Sequence, residues 1–139
     1  MAQLTVQIIT PERTVFDGQA DGVTLPATTG ELTILPGHLP LITLLRSGEI
    51  TLHAGQQRRH MAIHGGFMEI DNDVVKLLTD AAEPEEEIDE RRAAEALERA
   101  RRAKEEATTH HEQAEALAAI ERAVARLQLA ERRKQRHRA

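Results

Sequence analysis

"TGELTILPGHLPLIT", residues 29–43, carries a half-apolar run, residues 31–35, into Pro36-Gly37-His38-Leu39-Pro40 and out again into apolar residues. Two short strands meeting at a stiff Pro-Gly corner would be written this way. The same grammar extends on both sides. Leu4, Val6 and Ile8 alternate with Thr5 and Gln7, the period of a half-buried strand. Residues 23–25, 32–34, 41–45, 49–52, 61–63, 67–70 and 74–78 are further short apolar runs. Asp17-Gly18, Asp21-Gly22, Ser47-Gly48, Ala54-Gly55 and Asp71-Asn72-Asp73 punctuate them as turns. Each such strand has one apolar face to hide, so the pattern predicts a sandwich or flattened barrel.

Composition changes class near Pro84. All eight glycines lie between Gly18 and Gly66, four of the five prolines fall by Pro40, and Ala, Glu and Arg dominate beyond Asp80. The expected fold is therefore α+β, with an all-β sandwich over residues 1–83 and an antiparallel two-helix hairpin over residues 84–139. Ala93, Ala96, Ala100, Ala103 and Ala107 recur at spacings of three and four, one face of a helix. Leu117, Ile120, Val124 and Leu127 do the same with large side chains, and a small stripe against a large one predicts a closely packed pair. Thr109 and Glu112 form a capping box that starts the second helix. Alanine buries little area, so the hairpin is expected to need a partner or ligand to settle in one conformation.

Several function classes are excluded at this level. A net charge of −5 and only two aromatic rings, Phe16 and Phe67, suit neither phosphate-backbone neutralisation nor base stacking, so no nucleic-acid partner is expected. Without cysteine there is no thiol chemistry and no disulfide, which fits a reducing compartment. No stretch approaches the roughly 20 apolar residues of a membrane span, and the N-terminal residues lack the pattern of a signal peptide. The phosphate-loop and nucleophile-elbow motifs are absent, so catalytic residues are not expected. Seven histidines raise the question of metal. His60 and His64, on or beside a strand, would sit roughly 13 Å apart, too far to share an ion, and His110 and His111 point apart at the hairpin tip.

The most specific local signal is "AAEPEEEIDERRAAEALERA", residues 81–100. Asp89 suits an N-cap, and the preceding acids suit a helix start. Arg91 and Arg92 in the first turn are not explained that way. Arg99 follows Arg92 by seven residues, and Arg122 and Arg126 are one turn apart on the second helix. Guanidinium groups converging across a hairpin could clamp a polyphosphate, whereas pairing with neighbouring glutamates is the plain alternative. Residues 132–138, RRKQRHR, fit a basic helix end that complements the helix dipole and could meet an acidic protein surface.

Taken together, "GELTILPGHLPL", "GGFMEI…VVKLLTDAAE" and the alanine-rich hairpin resemble the epsilon-subunit family of bacterial F-type ATP synthases over the whole chain. The resemblance implies a non-catalytic regulatory subunit of a proton-translocating rotary motor, peripheral on the cytoplasmic face of the bacterial cell membrane and not inserted in it. It implies partners in the gamma subunit and the c-ring, with Glu31 and His38 on the contact corner. Ile88-Asp89-Glu90-Arg91-Arg92-Ala93 is similar to the [IL]-D-x-x-R-A motif by which some members bind regulatory ATP, alone or with Mg2+. Carried over, Ile88, Asp89 and Ala93 line the adenosine side, Arg92, Arg99, Arg122 and Arg126 face the phosphates, and Glu83 lies near base or sugar. The resemblance further implies a hairpin that leaves rotation free when folded down and blocks hydrolysis when extended towards the alpha/beta hexamer, whose acidic surfaces would meet basic residues 122–138. The rival reading is a free-standing sandwich and coiled-coil adaptor without nucleotide.

Overall fold

The structure, a computed structural model, describes residues 2–138; Met1, Ala139 and the side chain of Arg138 lie outside the described residues. The chain separates into two compact units, Met1–Pro84 and Glu85–Ala139. The first is all β: β1 (Leu4–Ile9), β2 (Thr14–Ala20), β3 (Gly22–Ala27), β4 (Gly30–Ile34), β5 (Leu41–Leu45), β6 (Gly48–Ala54), β7 (Gln57–Ile63), β8 (Gly66–Asp71), β9 (Val74–Leu78) and β10 (Ala82–Pro84). They form one sheet in the order β10-β7-β6-β3-β5-β8-β9-β1-β2, with β4 beside β3. Neighbours run antiparallel except β1 and β9, which pair in parallel from Thr5 opposite Val74 to Ile9 opposite Leu78. The sheet curls until Arg59 of β7 lies over the Phe16 ring of β2, 5.4 Å from its centre. A flattened, nearly closed barrel results.

Two strands depart from the sequence expectation. Asp17-Gly18, expected as a turn, lies inside β2, where Gly18 pairs with Val6 and Asp17 with Gln7. The long run of pairing with β1 outweighs the local turn preference, and the one register shift of the pair lies beyond it, at Ile8/Ile9. The second is β10, three residues on the sheet edge, where Pro84 closes the first unit.

One face of every strand points inward. Leu4, Val6, Ile8, Val23, Leu25, Ile34, Ile50, Met61, Ile63, Met68, Ile70, Val75 and Leu77 have no measurable exposure and form a single aliphatic core. Each buried aliphatic side chain of this size contributes about 1.5–3 kcal/mol. The turn between β7 and β8 passes Gly66 so close to β9 that a Cβ there would stand 2.8 Å from the Thr79 Cα, and its φ of +116° excludes other residues as well. Asp21 ties the β2–β3 bend to the β6–β7 turn: it accepts from the Gly55 N–H and from Gln3, and these bonds hold its carboxyl below the usual range. A lowered carboxyl of this kind supports the fold above the ordinary carboxylate range and loses that effect as pH falls through the lowered value.

The second unit opens with a 3₁₀ turn, Glu85–Glu87, followed by α1 (Glu90–Glu106) and α2 (His110–Arg138). Thr109 accepts from the Glu112 N–H at 3.1 Å, and Glu112 reaches back to the Thr108 N–H rather than to that of Thr109. The seam is not alanine against large residues. On α1 the buried positions are Ala93 and Ala100; on α2 they are Ala116, Ala123, Ala125, Leu129 and Ala130, and within them Ala93–Ala100 and Ala116–Ala123–Ala130 are spaced by seven, the period of a two-helix seam. Leu117 is 46% exposed, and Ile120, Val124 and Leu127 are only half-buried. The four large side chains expected in the seam are thus less buried than the alanines, while Leu129, which the spacing did not single out, is fully buried. At the hairpin's open end Arg133 donates to the Glu85 carbonyl, Arg136 pairs with the Glu85 carboxylate, and Lys134 lies 2.6 Å from Glu90.

A large side chain in this seam should therefore be harmful where a small one on its flank is not. Ala123→Leu is expected to destabilise the helical unit by about 1–3 kcal/mol through overpacking, and Leu117→Ala to stay within about 0.5 kcal/mol of wild type. Helical circular dichroism during chemical unfolding measures both; the reverse ranking would restore the leucine seam.

Candidate functional site

The residues singled out from sequence fall in three places. The motif residues occupy the start of α1. Ile88 is buried, with its N–H bonded to the Glu85 carbonyl at 3.2 Å. Asp89 caps the helix, its side chain accepting from the Arg91 N–H at 3.0 Å and the Arg92 N–H at 3.2 Å. Ala93 is buried in the seam. The Arg92 side chain is 86% exposed, with Nε 3.8 Å from the Asp89 carboxylate. A helix start, an exposed guanidinium and a carboxylate thus share one turn, and the motif's order Asp-x-x-Arg-Ala follows from the cap: the residue three beyond an N-cap lies over it, and the next enters the seam.

The other arginines are more dispersed. Arg99 lines a shallow groove with Ala94, Glu95, Glu98 and Arg102. Arg122 lines a different one, about 700 Å³, between the helices, whose walls are alanines and the carboxylates of Glu106, Glu112 and Glu115. Arg126 is half-buried and already engaged. Arg92, Arg99 and Arg122 are thus spread along the hairpin, and the acidic lining of the larger groove disfavours an anion at the hairpin tip. Glu83 belongs to the other unit: it is in β10, with Oε1 2.9 Å from His64 Nε2. Among the described residues, no group of three or more His, Asp or Glu side chains is placed to hold a metal ion.

The corner at residues 36–40 is built as a fixed shape. His38 donates its N–H to the Leu35 carbonyl at 3.2 Å, and its Nδ1 lies 2.6 Å from the Leu39 carbonyl. Gly37, at φ +88°, donates to Asp73 in the β8–β9 turn at 2.8 Å. Glu31 stands exposed on β4 opposite Pro26. Beside the corner residues there is a surface that sequence patterning missed. Leu44 of β5 pairs with Phe67 of β8, Phe67 with Leu78 of β9, and Leu78 with Ile9 of β1, so an apolar row crosses four strands on the outward face. Leu44 is 63% exposed and Ile42, two residues before it, 69%. The signal was present at residues 41–45 and 74–78, where four of five residues are apolar and a half-buried strand would alternate with polar residues.

Over residues 3–85 the chain matches the family model described as ATP synthase, Delta/Epsilon chain, beta-sandwich domain, and over residues 86–131 that of the long alpha-helix domain of the same chain. The chain belongs to the ATP synthase delta/epsilon family. Among its relatives is the ATP synthase epsilon chain of Solibacter usitatus, 45% identical over 130 residues, covering 94% of this chain and 97% of the relative. That of Moorella thermoacetica is 44% identical over 131 residues, covering 94% and 98%. Among solved structures, the Euglena gracilis mitochondrial ATP synthase (OSCP/F1/c-ring) contains a chain with TM-score 0.80 and 26% identity, matched over 94% of this chain and 82% of that one. The epsilon-chain identity leaves the free-standing adaptor without support, and it sets the exposed apolar row in a protein that works as a subunit. No helix among the described residues is long and apolar enough to cross a membrane.

The cap geometry makes a specific demand on Asp89. Asp89→Ala should cost about 1 kcal/mol of helix stability and speed amide exchange at Arg91 and Arg92, with Asp89→Asn near wild type. Equal exchange in all three proteins would show that the cap contributes nothing.

Proposed function

We propose that this epsilon chain is a non-catalytic subunit of the central stalk, which couples the rotor to the c-ring through its sandwich and senses ATP through its hairpin. The observation that carries the first half is the row Ile9–Leu78–Phe67–Leu44. A contiguous apolar strip on a sheet's outer face is what a subunit surface needs and what a free protein avoids. On this reading the strip is covered by the gamma subunit, and the Glu31–His38 corner, rigid before contact, meets the c-ring without an ordering cost. The peripheral position at the cytoplasmic face of the bacterial membrane follows from those partners.

The hairpin supports the second half through Ile88-Asp89-x-x-Arg92-Ala93. Asp89 and Arg92 share the first turn of α1, where the helix dipole adds a positive pole. With Arg99, Arg122 and Arg126 on the hairpin and Glu83 in β10, they are the residues assigned to regulatory ATP, alone or with Mg2+. On this reading bound ATP is a signal and not a substrate. ATP that binds one hairpin state alone favours it by about 2.7 kcal/mol at a hundredfold excess over Kd. Without it, basic residues of α2 become available to acidic surfaces of the alpha/beta hexamer, and hydrolysis is braked.

Phe67→Glu with Leu44→Glu is expected to leave the sandwich folded and to weaken its association with gamma at least about tenfold, read by co-purification and by surface-binding kinetics. Unchanged association would remove the strip from the interface. Asp89→Ala with Arg92→Ala is expected to abolish the calorimetric ATP signal at an unchanged sandwich melting temperature; retained binding would move the nucleotide elsewhere.

A further inference from the structure

The turn between β8 and β9 has two residues, Asn72 and Asp73, flanked by the paired Asp71 and Val74. Both are left-handed, at φ +48° and +62°, as a two-residue hairpin loop of the primed type requires. Asn at the first position follows the usual preference. The second is ordinarily glycine, because in that conformation a Cβ crowds the following carbonyl. Asp73 therefore carries a conformational cost that glycine would not, and the contacts of its side chain show what it does there.

Asp73 works in two directions. Its backbone carbonyl accepts from the Thr5 N–H at 2.8 Å, which anchors the turn to the start of β1. Its carboxylate Oδ1 accepts from the Gly37 N–H at 2.8 Å, 36 residues away in sequence. Gly37 is the conformationally free residue of the corner: Pro36 before it and Pro40 beyond have fixed φ, whereas glycine does not. Leu35 rests over Gly22, where a Cβ would meet its Cδ2 at 3.0 Å, and this holds the corner's beginning. Among the described residues, the corner's other hydrogen bonds, from the His38 N–H to the Leu35 carbonyl and between His38 Nδ1 and the Leu39 carbonyl, stay inside it. The bond from Gly37 to a carboxylate is the hydrogen bond that joins the corner to the barrel, and beyond it Leu39 stands 78% exposed.

We propose that Asp73 is a positioning residue: from the β8–β9 turn its carboxylate grips Gly37 and so holds the tip of the corner, Gly37 to Leu39, in the shape that docks. The proposal rests on the docking reading given above, in which the corner meets the c-ring, and adds to it a residue from another hairpin.

Amide exchange in the full chain, with binding of that chain to the detergent-solubilised c-ring and to the isolated gamma subunit, tests it. Asp73→Gly gives the turn the preferred Asn-Gly pair and removes the carboxylate, so the fold stays while the grip is lost. Exchange at Gly37 is expected to rise about tenfold, as loss of a hydrogen bond to a charged group allows. Affinity for the c-ring is expected to fall about threefold, because the corner must then be ordered on contact. Binding to gamma should not change, since Phe67 and Leu78 lie at the opposite end of the β8–β9 hairpin. Asp73→Asn, which tolerates the same backbone and keeps an oxygen acceptor, is expected to lie nearer wild type in both readouts. Unaltered Gly37 exchange or c-ring affinity in the Gly variant, or an Asn variant no better than it, would overturn the proposal. So would an equal loss of gamma binding, which would make Asp73 a residue of the fold alone. A wild-type chain without affinity for the c-ring would defeat the docking reading instead; the grip is then decided by exchange, and an Asp73→Gly chain that protects Gly37 as wild type does would refute it.

Discussion

Burial of one aliphatic face by a sheet that curls back on itself is the constraint on which the sandwich depends. With two phenylalanines and no other aromatic ring, the core must be filled by branched and straight-chain aliphatics of similar size, and only a sheet whose strands all turn the same face inward can do so. That requirement fixes the register: a slip of one residue in β8 would place Phe67, Glu69 and Asp71 inside and Met68 and Ile70 outside. The same register lines up Leu44, Phe67, Leu78 and Ile9 on the outward face. Inner packing and outer apolar strip are therefore one decision read from two sides.

The hairpin follows a different rule. Its strength comes from close approach of backbones along rows of methyl groups, with little area per contact, and from charged groups joined at its open end. Where the sandwich resists change, the hairpin is built from contributions small enough for a ligand or partner to outweigh. A rigid element and a lightly held one thus share one chain, and the sequence marks the passage between them by the loss of glycine after Gly66.

Much of this was legible from residues alone. Alternation found most strands, because a half-exposed strand repeats every two residues, and the caps at Asp89 and Thr109 were legible because they are local chemistry. What escaped was decided by distant partners. The β2 strand overrides its Asp17-Gly18 turn signal through pairing with β1. The β10 strand is too short to show any period. The helix seam was misjudged because spacing of three and four does not say which of two stripes is buried: Ala116, Ala123, Leu129 and Ala130 are, and none of them belongs to the stripe of large residues singled out. At the sites, the motif at residues 88–93 was visible, but the engagement of Glu83 by His64 joins positions 19 apart through the edge of a sheet, and no local pattern encodes it.

The joined charges at the foot of the hairpin carry one more implication. Glu85 and Glu90 hold Arg133, Lys134 and Arg136 at the open end of the hairpin, while the buried positions further along it are apolar. Electrolyte weakens exposed ionic contacts and leaves apolar ones almost untouched. The rods would then part from the foot upwards as ionic strength rises, like a clothes peg whose spring is at the tip, so that salt content sets how firmly the pair is closed.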